Sequence, residues 1–253
     1  MSIPHFFIGN RIEGKAGDAI SLSLPQDVAK HLRSLRVRPP EHLIFVDSPG
    51  HAWELELTTA PSRGSSHIEA LLLREHEDSW HPDLTLVQAI SAANRMDQTI
   101  RQVTELGVSR IIPLESERST ARLDATGRVA KRARWERIAQ GAAEQSGLLR
   151  LPSIEPACDL STALSMLVSY DALLFFWEEP GGMSLSEALE GISGLPATPA
   201  ATTASTLSTK GDKNGTSARV AAVIGPEGGF SEAEAACIRA AGGHTITMGS
   251  TIL

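Results

Sequence analysis

From Leu84 onward this chain of 253 residues alternates short unbroken apolar runs with stretches of helical period, and few folds accept that pattern. The runs "LTLVQAI" (84–90), "RIIPLES" (110–116), "DALLFFWEE" (171–179), "RVAAVIGPEGG" (219–229) and "HTITMGS" (244–250) read as strands buried on both faces. Between them, "NRMDQTIRQVTEL" places Met96, Ile100 and Val103 on one helical face, with Gly107 well placed as the C-cap. The longer "GRVAKRARWERIAQGAAEQS" puts Val129, Ala133, Ile138 and Ala142 inward. Strands alternating with helices predict an α/β domain around a mostly parallel sheet.

Residues 1 to about 78 have a different period. "AWELELT" sets Trp53, Leu55 and Leu57 on one face and Glu54 and Glu56 on the other, and "AISLSL" alternates likewise. "HLIFVD" and "HIEALLL" are further short strands, with a turn at "SPG" (48–50), so a small barrel or sandwich is expected. "EHEDSWHPD" (75–83) reads as a linker between domains at 1–78 and 82–253. The Ala/Thr/Ser/Gly-rich stretch 190–218 reads as a flexible insertion and is assigned no chemistry.

Composition excludes several classes. The net charge of −7 argues against a generally basic nucleic-acid binder, while leaving room for a local basic patch. Cys158 and Cys237 have no ligand spacing and read as two buried thiols in a reducing compartment. His31, His42, His51, His67, His76 and His81 show no metal-ligand pattern either, and no metal is expected. The start of the chain lacks the form of a signal peptide and no run is long enough to span a bilayer, so a cytoplasmic protein without membrane partners is expected.

The stretch with most chemical content is "IGPEGGFSEAE" (224–234). Ser231 and Glu234 form a capping box, so a helix begins there and the glycines lie between strand end and helix start. In open α/β sheets ligands sit at that position. The stretch lacks both the Lys-Ser/Thr of a phosphate loop and the dinucleotide spacing, and it carries Glu227 instead. Spacing alone leaves two readings open. The glycines relieve a tight turn, or they cradle a ligand with an adenosine part and positive charge, such as S-adenosylmethionine.

"IGPEGGFSEAE" followed by "MGSTIL" (248–253) resembles the closing motifs of the SPOUT-class RNA methyltransferases. More narrowly it resembles the RsmE family, which methylates N3 of a uridine in 16S ribosomal RNA. "QAISAANRMDQTIRQVTELGVSRIIPLESERS" (88–119), "GAAEQSGLLRLPSIEP" (141–156) and "LRVRPPEHLIFVD" (35–47) are similar to further blocks of that family, in the same order. The resemblance implies an N-terminal PUA-like β-barrel that helps hold RNA and a C-terminal α/β domain with a trefoil knot. It also implies a homodimer, and as substrate the assembled small ribosomal subunit. By the same resemblance Gly225, Pro226, Glu227, Gly228 and Gly229, with Met248, Gly249, Ile252 and Leu253, should line the S-adenosylmethionine pocket, and Phe176, Trp177 and Glu178 its remaining wall. Glu144 and Gln145 keep the family's pattern and are the candidate catalytic residues. The family's motif runs on past the position of Leu253 with an arginine and a final helix, so the resemblance implies a knot motif without its closing segment. Gln102 and Leu148 stand where the family has basic residues, with Arg150 near enough to replace the second.

Arg118, Arg122, Arg128, Lys131, Arg132, Arg134 and Arg137 meet only Asp124 and Glu136 within one stretch of an acidic chain. Such a local reversal of sign suits RNA phosphates, although a solvated helix face also carries runs of charge. Alternation in "RSLRVR" (33–38) would place Arg36 and Arg38 together on a strand face as a second RNA contact. Two alternatives accompany this reading: a SPOUT methyltransferase acting on tRNA, and a catalytically incomplete RNA- or ribosome-binding protein.

Overall fold

The chain forms two units, Met1–Ser79 with Ala139–Leu151, and Trp80–Ile138 with Pro152–Leu253. A computed structural model describes residues 3–48, 50–76, 83–91, 94–119, 122–178, 181–190, 192 and 218–247. The insertion from 193 to 217, the linker residues 77–82 and the sites expected at Met248, Gly249, Ile252 and Leu253 lie outside the described residues.

The first unit is built on β1 (His5–Phe7), β2 (Ala19–Ser23), β3 (His42–Val46), β4 (Ala52–Thr59) and β5 (His67–His76), in the order β1-β3-β4-β5-β2. β1 runs parallel to β3 and the other pairings are antiparallel. Among the described residues no pairing joins β1 to β2, so the sheet is not closed into the expected barrel by strand pairing. Period 2 decides its faces. Phe6, Phe45, Trp53, Leu55, Leu57, Ile68 and Leu72 point to one core, as the alternation in β4 predicts. β5 takes in Glu75 and His76, which the sequence reading assigned to the linker.

A helix, α1 (Gln26–Leu35), covers that core with Val28, Ala29 and Leu32. It corrects the strand expected at "RSLRVR". Arg33 lies in the last turn of α1, and Arg36 ends the helix in the left-handed region at φ 57°, with its N–H bonded to Arg33 O and that of Val37 to Leu32 O. Arg36 and Arg38 therefore share no strand face. The 28/29/32 apolar spacing, one helical turn, outweighs the local alternation of Arg and Val.

The second unit carries β6 (Asp83–Ala89), β7 (Arg110–Leu114), β8 (Ser153–Ile154), β9 (Ala172–Phe176), β10 (Met183–Ser184), β11 (Arg219–Ile224) and β12 (Gly243–Thr247). All pair in parallel in the order β10-β12-β9-β11-β6-β7-β8. Both faces are apolar, as a parallel sheet requires. Val87, Leu114, Phe175, Val223 and Ile112 pack with α4 (Leu160–Ser165) and α6 (Glu232–Ala240) through Ala163, Ala235 and Ile238. Leu174, Val220 and Ile246 pack on the side of α5 (Leu185–Glu190).

α2 (Arg95–Glu105) turns Met96, Ile100 and Thr104 inward, so a strict spacing of four replaces Val103 by Thr104, whose hydroxyl donates to Ile100 O. Gly107 at φ 84° follows the cap Leu106. Its N–H bonds Thr104 O and that of Val108 bonds Val103 O, which closes the helix. α3 (Ala125–Ser146) starts where Asp124 accepts the Gly127 N–H at 2.7 Å. Its buried stripe is Trp135, Ala139, Ala142 and Ala143; of the expected set Ala142 is buried and Ile138 half-buried, whereas Val129 is 72% exposed and Ala133 is exposed. The bulk of Trp135 sets the inward face, and Val129 falls outside the arc that contains it. Cys158 is buried, and burial pushes its thiol up to about 11. Cys237 is exposed on the outer side of α6, contrary to the expectation of two buried thiols. No described helix is long and apolar enough to cross a membrane.

Candidate active site

β11 lies between β9 and β6, so β6 has its sequence neighbour β7 on one side and a strand formed over a hundred residues later on the other. Such a change in strand order opens a crevice at the carboxyl ends. Register makes the row explicit: Gln88, Ile224, Phe176 and Ile246 face one another across β6, β11, β9 and β12. The connections leaving Phe176, Ile224 and Thr247 thus start side by side. The glycine turn leaves Ile224 and enters α6 through the expected capping box. Ser231 Oγ accepts the Glu234 N–H at 3.2 Å, and Glu234 Oε2 accepts the Ser231 N–H at 2.9 Å.

The three glycines have different reasons. A Cβ on Gly225 would stand 3.1 Å from the Phe230 ring, so this glycine serves packing. Gly229 has φ 67° and serves the turn, its N–H bonded to Pro226 O at 2.9 Å. Gly228 has neither reason: a Cβ there would meet only the Arg118 side chain, at 3.6 Å. Main chain left bare without a local cause is what a close-fitting ligand needs.

Neighbouring segments fix the turn. Arg95 Nη1 reaches Glu227 Oε1 at 2.7 Å, Arg118 Nη1 reaches Gly228 O at 2.9 Å, and the Gln88 amide stands 3.5 Å from Gly225 O. Glu227 is therefore already paired with a cation. Below the turn the Phe230, Phe175 and Trp177 rings pack at centroid separations of 5.4 and 5.5 Å, and the Arg239 guanidinium sits 4.8 Å from the Trp177 centroid. Trp177 is thereby engaged with α6, whereas Phe176 points to the opposite face of the sheet. Glu178 follows as an exposed residue.

Glu144 and Gln145 lie in the last turns of α3, in the segment grouped with the first unit. Glu144 is half-buried and accepts the Gln140 amide at 3.0 Å, and Gln145 is exposed.

The basic stripe is more committed than its sequence suggests. Arg128 forms a two-pronged pair with Glu115 at 2.6 and 3.1 Å, and holds that carboxyl below the usual range. Arg134 donates twice to Asp97 Oδ2, at 2.6 and 3.0 Å, with the same effect on Asp97, and Arg132 pairs with Glu136 one turn on. Arg122 and Lys131 have no hydrogen-bond or ion-pair partner among the described residues. Two of the acids that neutralise the stripe, Glu115 and Asp97, come from other elements, which the local run of sequence could not reveal. The sequence reading also missed Arg95 and Gln88 as partners of the turn, and the bond that ties Glu234 to the Glu117 N–H. Only their nearness to strand ends and helix starts hinted at it.

A profile of the RNA methyltransferase domain matches residues 79–253. "Ribosomal RNA small subunit methyltransferase E" of Bacillus subtilis is 28% identical over 168 residues, 66% of this chain and 59% of that protein. The protein of the same name from Aquifex aeolicus is 27% identical over 229 residues, 90% of this chain and 85% of that one. The crystal structure of a ribosomal RNA small subunit methyltransferase E from Neisseria gonorrhoeae bound to S-adenosyl methionine superposes with a TM-score of 0.76 at 28% identity. It covers 100% of this chain and 91% of that one. With its strand-end crevice, its glycine turn and these matches, the chain belongs to the RNA methyltransferase domain family, among the proteins of the ribosomal RNA small-subunit methyltransferase E type.

Proposed function

We propose that this protein is an S-adenosylmethionine-dependent ribosomal RNA methyltransferase whose target is N3 of a uridine in the small-subunit RNA. The observation that carries the reading is Gly228, bare main chain in the turn at the carboxyl end of β11; the S-adenosyl methionine bound in a related structure of the same fold supports a cofactor of that kind. The residues present fit that cofactor. The turn is braced from outside by Arg95 and Arg118, and its exposed residues 227 and 228 leave room for an adenosine group. The cofactor supplies an activated methyl group when bound. Gly225, Pro226, Glu227, Gly228 and Gly229 would hold it, with Phe176, Trp177 and Glu178 as further wall; Met248, Gly249, Ile252 and Leu253, assigned to the same pocket by the family resemblance, lie outside the described residues.

Uracil N3 is a weakly acidic imide, and its proton must leave as the nitrogen attacks the methyl carbon. Positioning contributes most of the acceleration. Glu144 and Gln145 are the groups assigned to the uracil. Arg122 and Lys131 are the strongest phosphate contacts of the stripe because they make no hydrogen bond or ion pair among the described residues; Arg128, Arg132 and Arg134 would first have to leave their carboxylates, and Arg118 the Gly228 carbonyl. Arg36 and Arg38 remain candidates as separate contacts on the first unit. The reading further includes a PUA-like front unit that holds RNA, a trefoil knot, a homodimer, a cytoplasmic location and the assembled small subunit as substrate.

The test is methyl transfer from labelled S-adenosylmethionine to small subunits that lack the modification, followed by nucleoside analysis. The expected product is 3-methyluridine. A methyl group on a ribose hydroxyl or on tRNA sinks the N3 assignment, and binding of subunits without transfer favours an RNA-binding protein. Gly228→Ala should leave stability within about 0.5 kcal/mol of the parent while weakening S-adenosylmethionine binding.

A further inference from the structure

Two consecutive residues between β7 and α3 grip the glycine turn and the start of the helix that follows it. The Glu117 N–H donates to Glu234 Oε1 at 2.8 Å, and Arg118 donates to Gly228 O at 2.9 Å. Glu234 is buried, and its other oxygen is the one that takes the Ser231 N–H. A single carboxylate thus fastens the start of α6 to a segment 117 residues earlier in the chain.

The grip falls on one peptide plane. Gly228 O and the Gly229 N–H belong to the same rigid unit; the oxygen accepts from Arg118, and the N–H donates to Pro226 O. Flanked by glycines, that unit is the most easily rotated of the turn, and the two bonds together fix it. The gripping segment is itself held. Ser116 and Ser119 bond each other three ways, the Glu115 N–H donates to Cys158 O, and the Glu115 carboxylate takes the Leu123 N–H and Arg128.

We propose that Arg118 and Glu234 are positioning residues that hold the glycine turn in the shape that accepts S-adenosylmethionine, and that Arg118 acts there rather than on RNA phosphate. This rests on the cofactor reading given above. Neither side chain needs to touch the cofactor.

Calorimetric titration of the whole chain with S-adenosylmethionine tests it, together with the salt dependence of small-subunit RNA binding. The parent should bind one equivalent per protomer. Arg118→Ala should bind about tenfold more weakly, the loss expected for one charge-assisted hydrogen bond. Its melting temperature should stay within about 2 °C of the parent, because the side chain is exposed. Arg118→Lys should recover part of the affinity, and Glu234→Gln, with one acceptor oxygen left, should fall between. The salt slope of RNA binding should not change. Arg118→Ala with parental cofactor affinity and a slope shallower by about one unit overturns the proposal in favour of a phosphate contact. A folded parent that binds no S-adenosylmethionine overturns the cofactor reading itself; a parent that binds beside an Arg118→Ala that binds equally well overturns only the positioning role.

Discussion

The two sheets treat their second face differently. In the parallel sheet of the second unit, both faces are apolar and helices cover them, so polar chemistry is displaced to the ends of the strands. In the mainly antiparallel sheet of the first unit, one face is core. The other mixes a small apolar cluster of Ile44, Val46 and Ala52 with a buried ion group. Glu54, paired in register with Ile44 and Arg74, is 6% exposed. It takes Arg74 at 2.7 Å, His76 at 3.1 Å and His42 at 3.1 Å, which hold its carboxyl down at about 2 despite burial. A strand that alternates can carry charge at mid-length, whereas a strand buried on both sides can carry it only where it ends.

The largest expected effect attacks the apolar side of this contrast. Phe175 is fully buried between Trp177 and Phe230, and Phe175→Ala should lower stability by about 4 kcal/mol in urea denaturation. A loss under about 1 kcal/mol would mean that the column of rings beneath the glycine turn is loosely packed. Next comes the buried carboxylate. Glu54→Gln should cost about 2 kcal/mol at pH 7 by leaving Arg74 and the histidines without their anion. The sign of the pH dependence follows from a folded value below the unfolded one. The stabilisation is complete above about 4.5, the group's ordinary value, and fades as pH falls towards about 2. Denaturation at a series of pH values should show this acid loss in the parent and a flatter profile in Glu54→Gln; parallel profiles would remove Glu54 from the account.

Smaller effects concern the helix ends. Ser231→Ala removes the cap of α6 and should cost about 1 kcal/mol by thermal or urea unfolding. Because the cap adjoins the glycine turn, the same variant should also weaken S-adenosylmethionine binding. In the first unit Arg36→Gly should raise stability by up to about 1 kcal/mol, because the left-handed cap of α1 now falls on a residue with a Cβ. A drop instead would show that the Arg36 side chain contributes more than its backbone costs.

Local patterns were legible where one element decides them. The capping box at Ser231 and Glu234, the left-handed turn at Gly107, the inward set Trp53, Leu55 and Leu57 and the strands β6, β7, β9, β11 and β12 all follow from spacing within a few residues, whereas the two-residue strands β8 and β10 carry no such signal. The helix α1, the inward stripe of α3 and the exposure of Cys237 were not. In each, several short-range patterns compete and the partner surface selects one. The candidate site was legible as a motif but not as a structure. The sequence supplies Gly225, Gly228 and Gly229 alike, and only packing against Phe230, the positive φ at 229 and the space over 228 separate their roles.

By itself, then, the sequence determined the α/β class of the second half and the strand-rich character of the first, the position of the glycine turn between strand and helix, and the family to which the chain belongs, because periodicity, caps and motif order are properties of neighbours along the chain. Only the tertiary structure decided which cations of the basic stripe are spent on Glu115, Asp97 and Glu136, that Glu54 is a buried anion, and that Arg95, Arg118 and Glu234 hold the turn. Most of those pairings join residues far apart in sequence, and a charge finds its partner by distance in space, which the order of strands sets and the order of residues does not.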